Sequence, residues 1–263
     1  MVGLVEGLAP RAPGGAPGKL GNEHPFVGAL HLKPEPGNVP GNLRLAERAV
    51  SAAKGAHPAL RWVVLPELFT YGYAGLRAVH RHAEDAKGGT SARFFASLAR
   101  RLGLYVAYGF PERRPSGDVS DSANLVGPRG LLLTYRKRRL VWTTDEPGVF
   151  LPGREVPVVR AGGALVALVT LVIRWDLGSP EAVREAALNG AELVLAPAGW
   201  RRPWGRQYAL ACAARALDNA VYLASANQLG DSTPKPASTP PAASTAPTAS
   251  ASASSRAPAA SPG

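Results

Sequence analysis

The feature that most restricts the fold is an alternation, between residues 25 and 229, of short apolar runs with amphipathic stretches of helical period. The runs "FVGALHL" (26–32), "LRWVVL" (60–65), "LYVAYGF" (104–110), "AELVLAP" (191–197) and "VYLASAN" (221–227) have strand length. Between them, 42–56, 91–103, 179–190 and 205–220 read as helices. The first is expected to start on an Asn42 cap and to bury Leu43, Ala46, Val50 and Ala53. "ANLVG" and "LLLTY" flank "PRG" as a hairpin. This order predicts one layered α/β domain over 25–229.

Outside that span the composition changes. Residues 1–24 are rich in Gly, Pro and Ala and are expected to form a disordered leader. Residues 230–263 are almost wholly Ser, Thr, Ala and Pro, with nothing larger than Ala to bury, and read as a disordered tail. "GGAPGKL" (14–20) is no phosphate loop, since Pro13 stands where its first Gly belongs and Leu20 replaces Ser/Thr. No apolar run is long enough to span a membrane, and the leader lacks the charge-then-apolar pattern of a signal peptide. A single cysteine, Cys212, excludes an intrachain disulfide and a cysteine-based zinc cluster. These features together predict a cytoplasmic protein. The net charge of +11 raises a nucleic-acid reading, with "YRKRRL" (135–140) and "GWRRPWGR" (199–206) as basic clusters. No recognition helix or stacking module accompanies the charge, so nucleic acid is not the expected partner.

Polar residues placed after apolar strands carry the chemistry. Glu67, in "VVLPELFTYGY", is either a general base or a carboxylate at a helix start. Lys137, in "LLLTYRKRRLVWTTDEPGVFLPG", is either an oxyanion stabiliser or one of several solvated charges, and Glu146 follows nine residues on. "ALVTLVIRWDLGSPE" (167–181) is a buried strand that delivers Arg174 at its carboxyl end, with Asp176 capping or bracing the turn and Ser179 beyond it. Cys212 reads as a small buried apolar residue on a helix, and His80 and His82 as surface residues lacking a third metal ligand.

Taken together, these segments resemble the nitrilase or carbon–nitrogen hydrolase superfamily. "LPELFTYGY" is similar to its glutamate motif and "YRKRRL…E…FLPG" to its lysine motif. "VIRWDLGSPEAVREAALNGAELVLAPAGW" is similar to its nucleophile motif, and "AARALDNAVYLASAN" to the helix and strand that follow. The resemblance implies a four-layer α-β-β-α sandwich, lacking the family's last C-terminal strands because the tail begins after "ASANQLG". It implies a Glu-Lys-Cys triad in which Glu67 and Lys137 keep their places, supported by Glu146, while Arg174 stands at the cysteine position. Arginine is protonated at any working pH and is no nucleophile. His31 stands where many relatives have a glutamine. The expected protein is thus a catalytically degenerate homologue, with no cofactor and no metal, in which Lys137 and Arg174 face a cleft that takes a small amide, nitrile or carboxylate. The alternative is an active hydrolase with an unusual nucleophile such as Ser179, or with a one-base change between cysteine and arginine codons at 174. Homo- or hetero-oligomeric assembly stays open.

Overall fold

A computed structural model describes residues 2–5, 26–162, 167–201 and 203–230. Among them the elements run β1 (Val2–Val5), β2 (Phe26–Leu30), α1 (Val39–Ala56), β3 (Leu60–Val64), α2 (Thr90–Leu102), β4 (Tyr105–Arg113), β5 (Val119–Gly127) and β6 (Gly130–Arg136). After these come β7 (Val159–Ala161), β8 (Ala167–Leu171), α3 (Glu181–Leu188), β9 (Leu193–Ala198), α4 (Gly205–Asn219) and β10 (Tyr222–Asn227). They form a six-stranded sheet in sequence order and a four-stranded sheet ordered β10-β9-β8-β7. Each sheet has a parallel set, β2-β3-β4 in one and β8-β9-β10 in the other; antiparallel strands flank the first on both sides, and β7 alone is added antiparallel to the second, at one edge.

Alternation along the strands explains the layering. Trp62 and Val64 of β3 turn inward, with Ala107, Ala123 and Leu125, against Val169, Leu171, Leu193 and Leu195 of the second sheet. Val63 and Leu65 turn the other way, with Val106 and Tyr108, onto Leu43, Ala46 and Val50 of α1 and Phe95 and Leu98 of α2. Ala182, Val183 and Ala186 of α3 and Tyr208 and Cys212 of α4 cover the far side of the second sheet. The arrangement is the expected four-layer α-β-β-α sandwich.

Three details depart from the sequence expectation. The first helix begins at Val39, capped by Asn38, whose side chain accepts from Gly41 N at 2.9 Å. Pro40 can then occupy the first turn, where its missing N–H costs nothing. Asn42, the expected cap, is instead buried and ties Glu35 to the loop after β3 through Thr70 O at 3.0 Å. Within the expected leader, Val2–Val5 form β1, which pairs antiparallel with β2. The rest of the leader and the tail from 231 lie outside the described residues.

Candidate active site

The carboxyl ends of β3, β8, β9 and β10 are where parallel strands of both sheets deliver their following residues, and this is where the polar groups collect. Glu67 lies just past β3 in a turn stitched to both sheets. Gly109 N donates to Pro66 O and Thr70 N to Gly109 O, each at 3.2 Å, on the β4 side. Opposite, Glu67 N donates to Ala198 O at 3.3 Å and Gln228 Nε2 to Glu67 O at 2.6 Å. The contact with β4 requires glycine, because a Cβ on Gly109 would lie 2.4 Å from Leu68 N. Leu68 itself has a φ of 45°, so backbone strain accompanies the placement of Glu67.

Lys137 follows β6 and is wholly buried, with its ammonium 2.5 Å from Glu67 Oε1, 2.8 Å from Glu146 Oε1 and 3.3 Å from Asp121 Oδ2. Tyr73 donates a short hydrogen bond to Glu146 Oε1, and Val141 N donates to Glu146 Oε2 at 2.8 Å. Burial opposes every charge here, and the partners decide the outcome. For Lys137 the acidic groups beside it, Glu67 foremost, outweigh burial and hold its pKa above the usual lysine value. For Glu146 the Lys137 charge and the hydrogen bonds outweigh burial and hold it below the usual carboxylate value. For Asp121 burial wins over Lys137, favouring the protonated form. The oxygens of Glu67, Asp121 and Glu146 lie within 4.8 Å of one another, a spacing that could hold a metal ion. The Lys137 ammonium takes the place such an ion would need.

Arg174 opens the 3₁₀ turn Arg174–Gly178 that ends the β8 segment, with a φ of 39°. An L-residue in that region is strained, and a strained elbow after a strand is a known way to push one side chain into a site. Asp176 braces the elbow as expected: it accepts from Ile173 N at 3.1 Å, Arg139 N at 2.9 Å and Tyr135 OH at 2.8 Å. The elbow is thereby joined to β6 and to the loop carrying Lys137. The Arg174 side chain is nearly buried, with Nη1 3.3 Å from Glu146 Oε1, Nε 3.9 Å from Glu67 Oε2, and its guanidinium 4.6 Å from the Tyr73 ring centre. Neither Arg174 Nε nor Glu67 Oε2 has a hydrogen-bond partner among the described residues.

Glu67, Lys137, Glu146 and Arg174 therefore converge. Two partners were not foreseen: Asp121, on an inward position of β5, and Tyr73, six residues after Glu67. One expectation is corrected. Lys137 does not face a cleft, because three carboxyl groups enclose it. An exposed cation beside the cluster is Arg201, which follows β9 and lies 5.3 Å from the Tyr73 ring centre. Ser179 is half-buried and donates to Glu181. Cys212 is buried beside Tyr208, and burial pushes its thiol up to about 12, which removes the thiolate that reactivity needs. His31 is buried between the sheets, where its Nδ1 accepts from Asn227 N at 3.0 Å, and burial lowers its pKa. His80 bonds Arg77 O, while His82 packs on Tyr71.

The sequence model of carbon–nitrogen hydrolases matches residues 26–249. The chain belongs to the carbon–nitrogen hydrolase family. A hydrolase from Pseudomonas protegens is 35% identical over 207 residues, covering 78% of this chain and 70% of that protein. A probable nitrilase from Schizosaccharomyces pombe is 29% identical over 207 residues, covering 78% of this chain and 74% of the other. The amidase from Nesterenkonia sp. AN1, seen with acrylamide added at its active-site cysteine, superimposes with a TM-score of 0.69 at 26% identity, covering 78% of this chain and 79% of that one. Nitrilases and amidases are thus among the proteins this chain is similar to. No helix among the described residues is long and apolar enough to cross a membrane.

Proposed function

We propose that this carbon–nitrogen hydrolase homologue is catalytically degenerate, with Arg174 at the position of the nucleophilic cysteine. The observation that carries the reading is Arg174 itself: a strained, nearly buried elbow residue within reach of Glu67 and Glu146. A nucleophile working with those carboxylates would occupy the same point. The guanidinium cannot attack a carbonyl and fills the space a scissile group requires. Among the described residues, neither other candidate serves as a nucleophile there: the chain's one cysteine, Cys212, is buried in α4 with a raised pKa, and Ser179 is turned to Glu181. The active-hydrolase alternative has no comparable support.

What remains is a binding site. Arg201, exposed over Tyr73, suits a small carboxylate better than a neutral amide or nitrile. A cytoplasmic setting accords with the single cysteine and with the lack of a spanning helix among the described residues. The test is a panel of simple amides and nitriles with the unmodified protein, followed by calorimetric titration with small carboxylates. Turnover abolished by Glu67→Ala would overturn the reading. No turnover, with carboxylate binding lost in Arg201→Ala, is the expected result.

A further inference from the structure

Two adjoining hollows of about 360 and 470 Å³ share Gly153 and Arg154 in their walls. Arg114 and Arg136 line the first, and Arg138 and Arg139 line the second. Three of these guanidiniums are committed to carboxylates: Arg136 to Glu112 at 2.6 Å, Arg138 to Glu185 at 2.5 Å and Arg139 to Glu181 at 3.1 Å. Asp176, on the second wall, has both oxygens engaged, Oδ2 by Ile173 N and the Tyr135 hydroxyl and Oδ1 by Arg139 N. Glu155 remains as an exposed carboxylate beside the first hollow.

Arg114 and Arg154 are different, since neither makes an ion pair among the described residues. Arg114 gives Nη2 to the carbonyls of Leu151 and Pro152, and its Nε is buried without a partner. Burial first, and then the charges of Arg136 and Arg154, hold Arg114 below the usual arginine value against the pull of Glu112 and Asp118. Two guanidiniums without an ion pair among the described residues, Arg114 and Arg154, thus border hollows of small-molecule size whose other arginines are already paired. Guanidinium forks pair bidentately with phosphate oxygens, and two adjoining hollows suit a chain better than a single ion.

We propose that this cleft binds an oligophosphate chain, either inorganic or carried by a nucleoside. The site is separate from the Glu67–Lys137 cluster, and its ligand is independent of whether Arg174 abolishes catalysis. The test is calorimetric titration of the full chain, at physiological salt, with inorganic tripolyphosphate and with ATP. Saturable binding of one chain per protein is expected. It should weaken at least tenfold in Arg154→Glu, an exposed position, and stay within twofold of the unmodified value in Arg44→Glu, an equal charge change on α1. Tighter binding of ATP than of tripolyphosphate would assign the chain to a nucleotide, and equal binding would assign it to the phosphates alone. Non-saturable binding, no binding, or equal weakening in both variants would overturn the proposal.

Discussion

Arg174 Nη1 lies 3.3 Å from Glu146 Oε1, the same oxygen that receives the Lys137 ammonium at 2.8 Å and the Tyr73 hydroxyl. Glu146 is therefore the hub of the cluster, and Arg174 is held in the site by charge as well as by the elbow. A charge-assisted contact in such burial is strong when geometry and partners are good, and disruptive when one partner is removed.

Arg174→Cys should create a residue that small electrophiles modify. The substitution removes the guanidinium and places a sulfur at the elbow, near Glu67 and Lys137. Intact-mass measurement after brief exposure to acrylamide should show one adduct in the variant and none in the unmodified protein, whose Cys212 is buried. The unmodified protein should lack covalent amide hydrolysis, since loss of a nucleophile costs about a millionfold in rate. Equal labelling of both proteins would refute the placement of residue 174.

Lys137→Met should destabilise the fold by about 3–5 kcal/mol, because it leaves Glu67, Asp121 and Glu146 buried without their common cation. The deficit should shrink in acid. In the unmodified protein the lowered pKa of Glu146 contributes stability above its unfolded value, lost as pH falls. In the variant, protonation relieves the unpaired carboxylates instead. Urea unfolding at pH 7 and pH 5 measures the difference, and a deficit that grows in acid would contradict this account.

The residues that sequence alone brought to the site were those placed after apolar strands, where a polar group has few reasons to stand unless it faces a site. Glu67, Lys137 and Arg174 carry that signal. Asp121 carries a weaker one: it shares the inward parity of Ala123 and Leu125 in β5, yet "SDSAN" reads equally well as a polar surface stretch. Tyr73 was hidden because a loop aromatic has no periodicity to reveal its direction. The enclosure of Lys137 was also illegible, since four adjacent basic residues give no sign of which one turns inward. The Asn42 cap failed for a related reason, because two asparagines four residues apart compete and the proline at 40 favours the earlier start.

Gly109→Ala should cost more than Gly199→Ala. At Gly109 the added Cβ would meet backbone, 2.4 Å from Leu68 N and 2.7 Å from Pro66 O, so the Glu67 turn must move off β4. At Gly199 it would meet the end of a side chain, 2.5 Å from Glu67 Oε2. Overpacking of the first kind costs about 1–3 kcal/mol. Thermal melts should place Gly109→Ala several degrees below Gly199→Ala, and the reverse order would show that the Glu67 carboxylate is less free to shift than the backbone.

Asp176 gives the elbow a pH dependence of definite sign. Burial raises its pKa from 3.8 to about 6, and the hydrogen bonds from Tyr135 and Arg139, the Lys137 charge and the Ile173 amide reduce the rise without cancelling it. A group whose folded pKa exceeds its unfolded one disfavours folding once ionised. Its stability contribution is therefore full below about pH 4 and is lost as pH rises through 6, a span worth roughly 3 kcal/mol. Asp176→Asn removes the titration. It also turns an amide NH₂ toward either Arg139 N or the Tyr135–Ile173 pair, leaving at least one buried donor unmatched at about 1–3 kcal/mol. Between pH 4 and 6 the unmodified protein should lose stability relative to Asp176→Asn, and above pH 7 the difference between them should be constant. Parallel stability curves from pH 4 to 8 would show that Asp176 does not titrate in the fold and that its three donors, not its burial, set its charge.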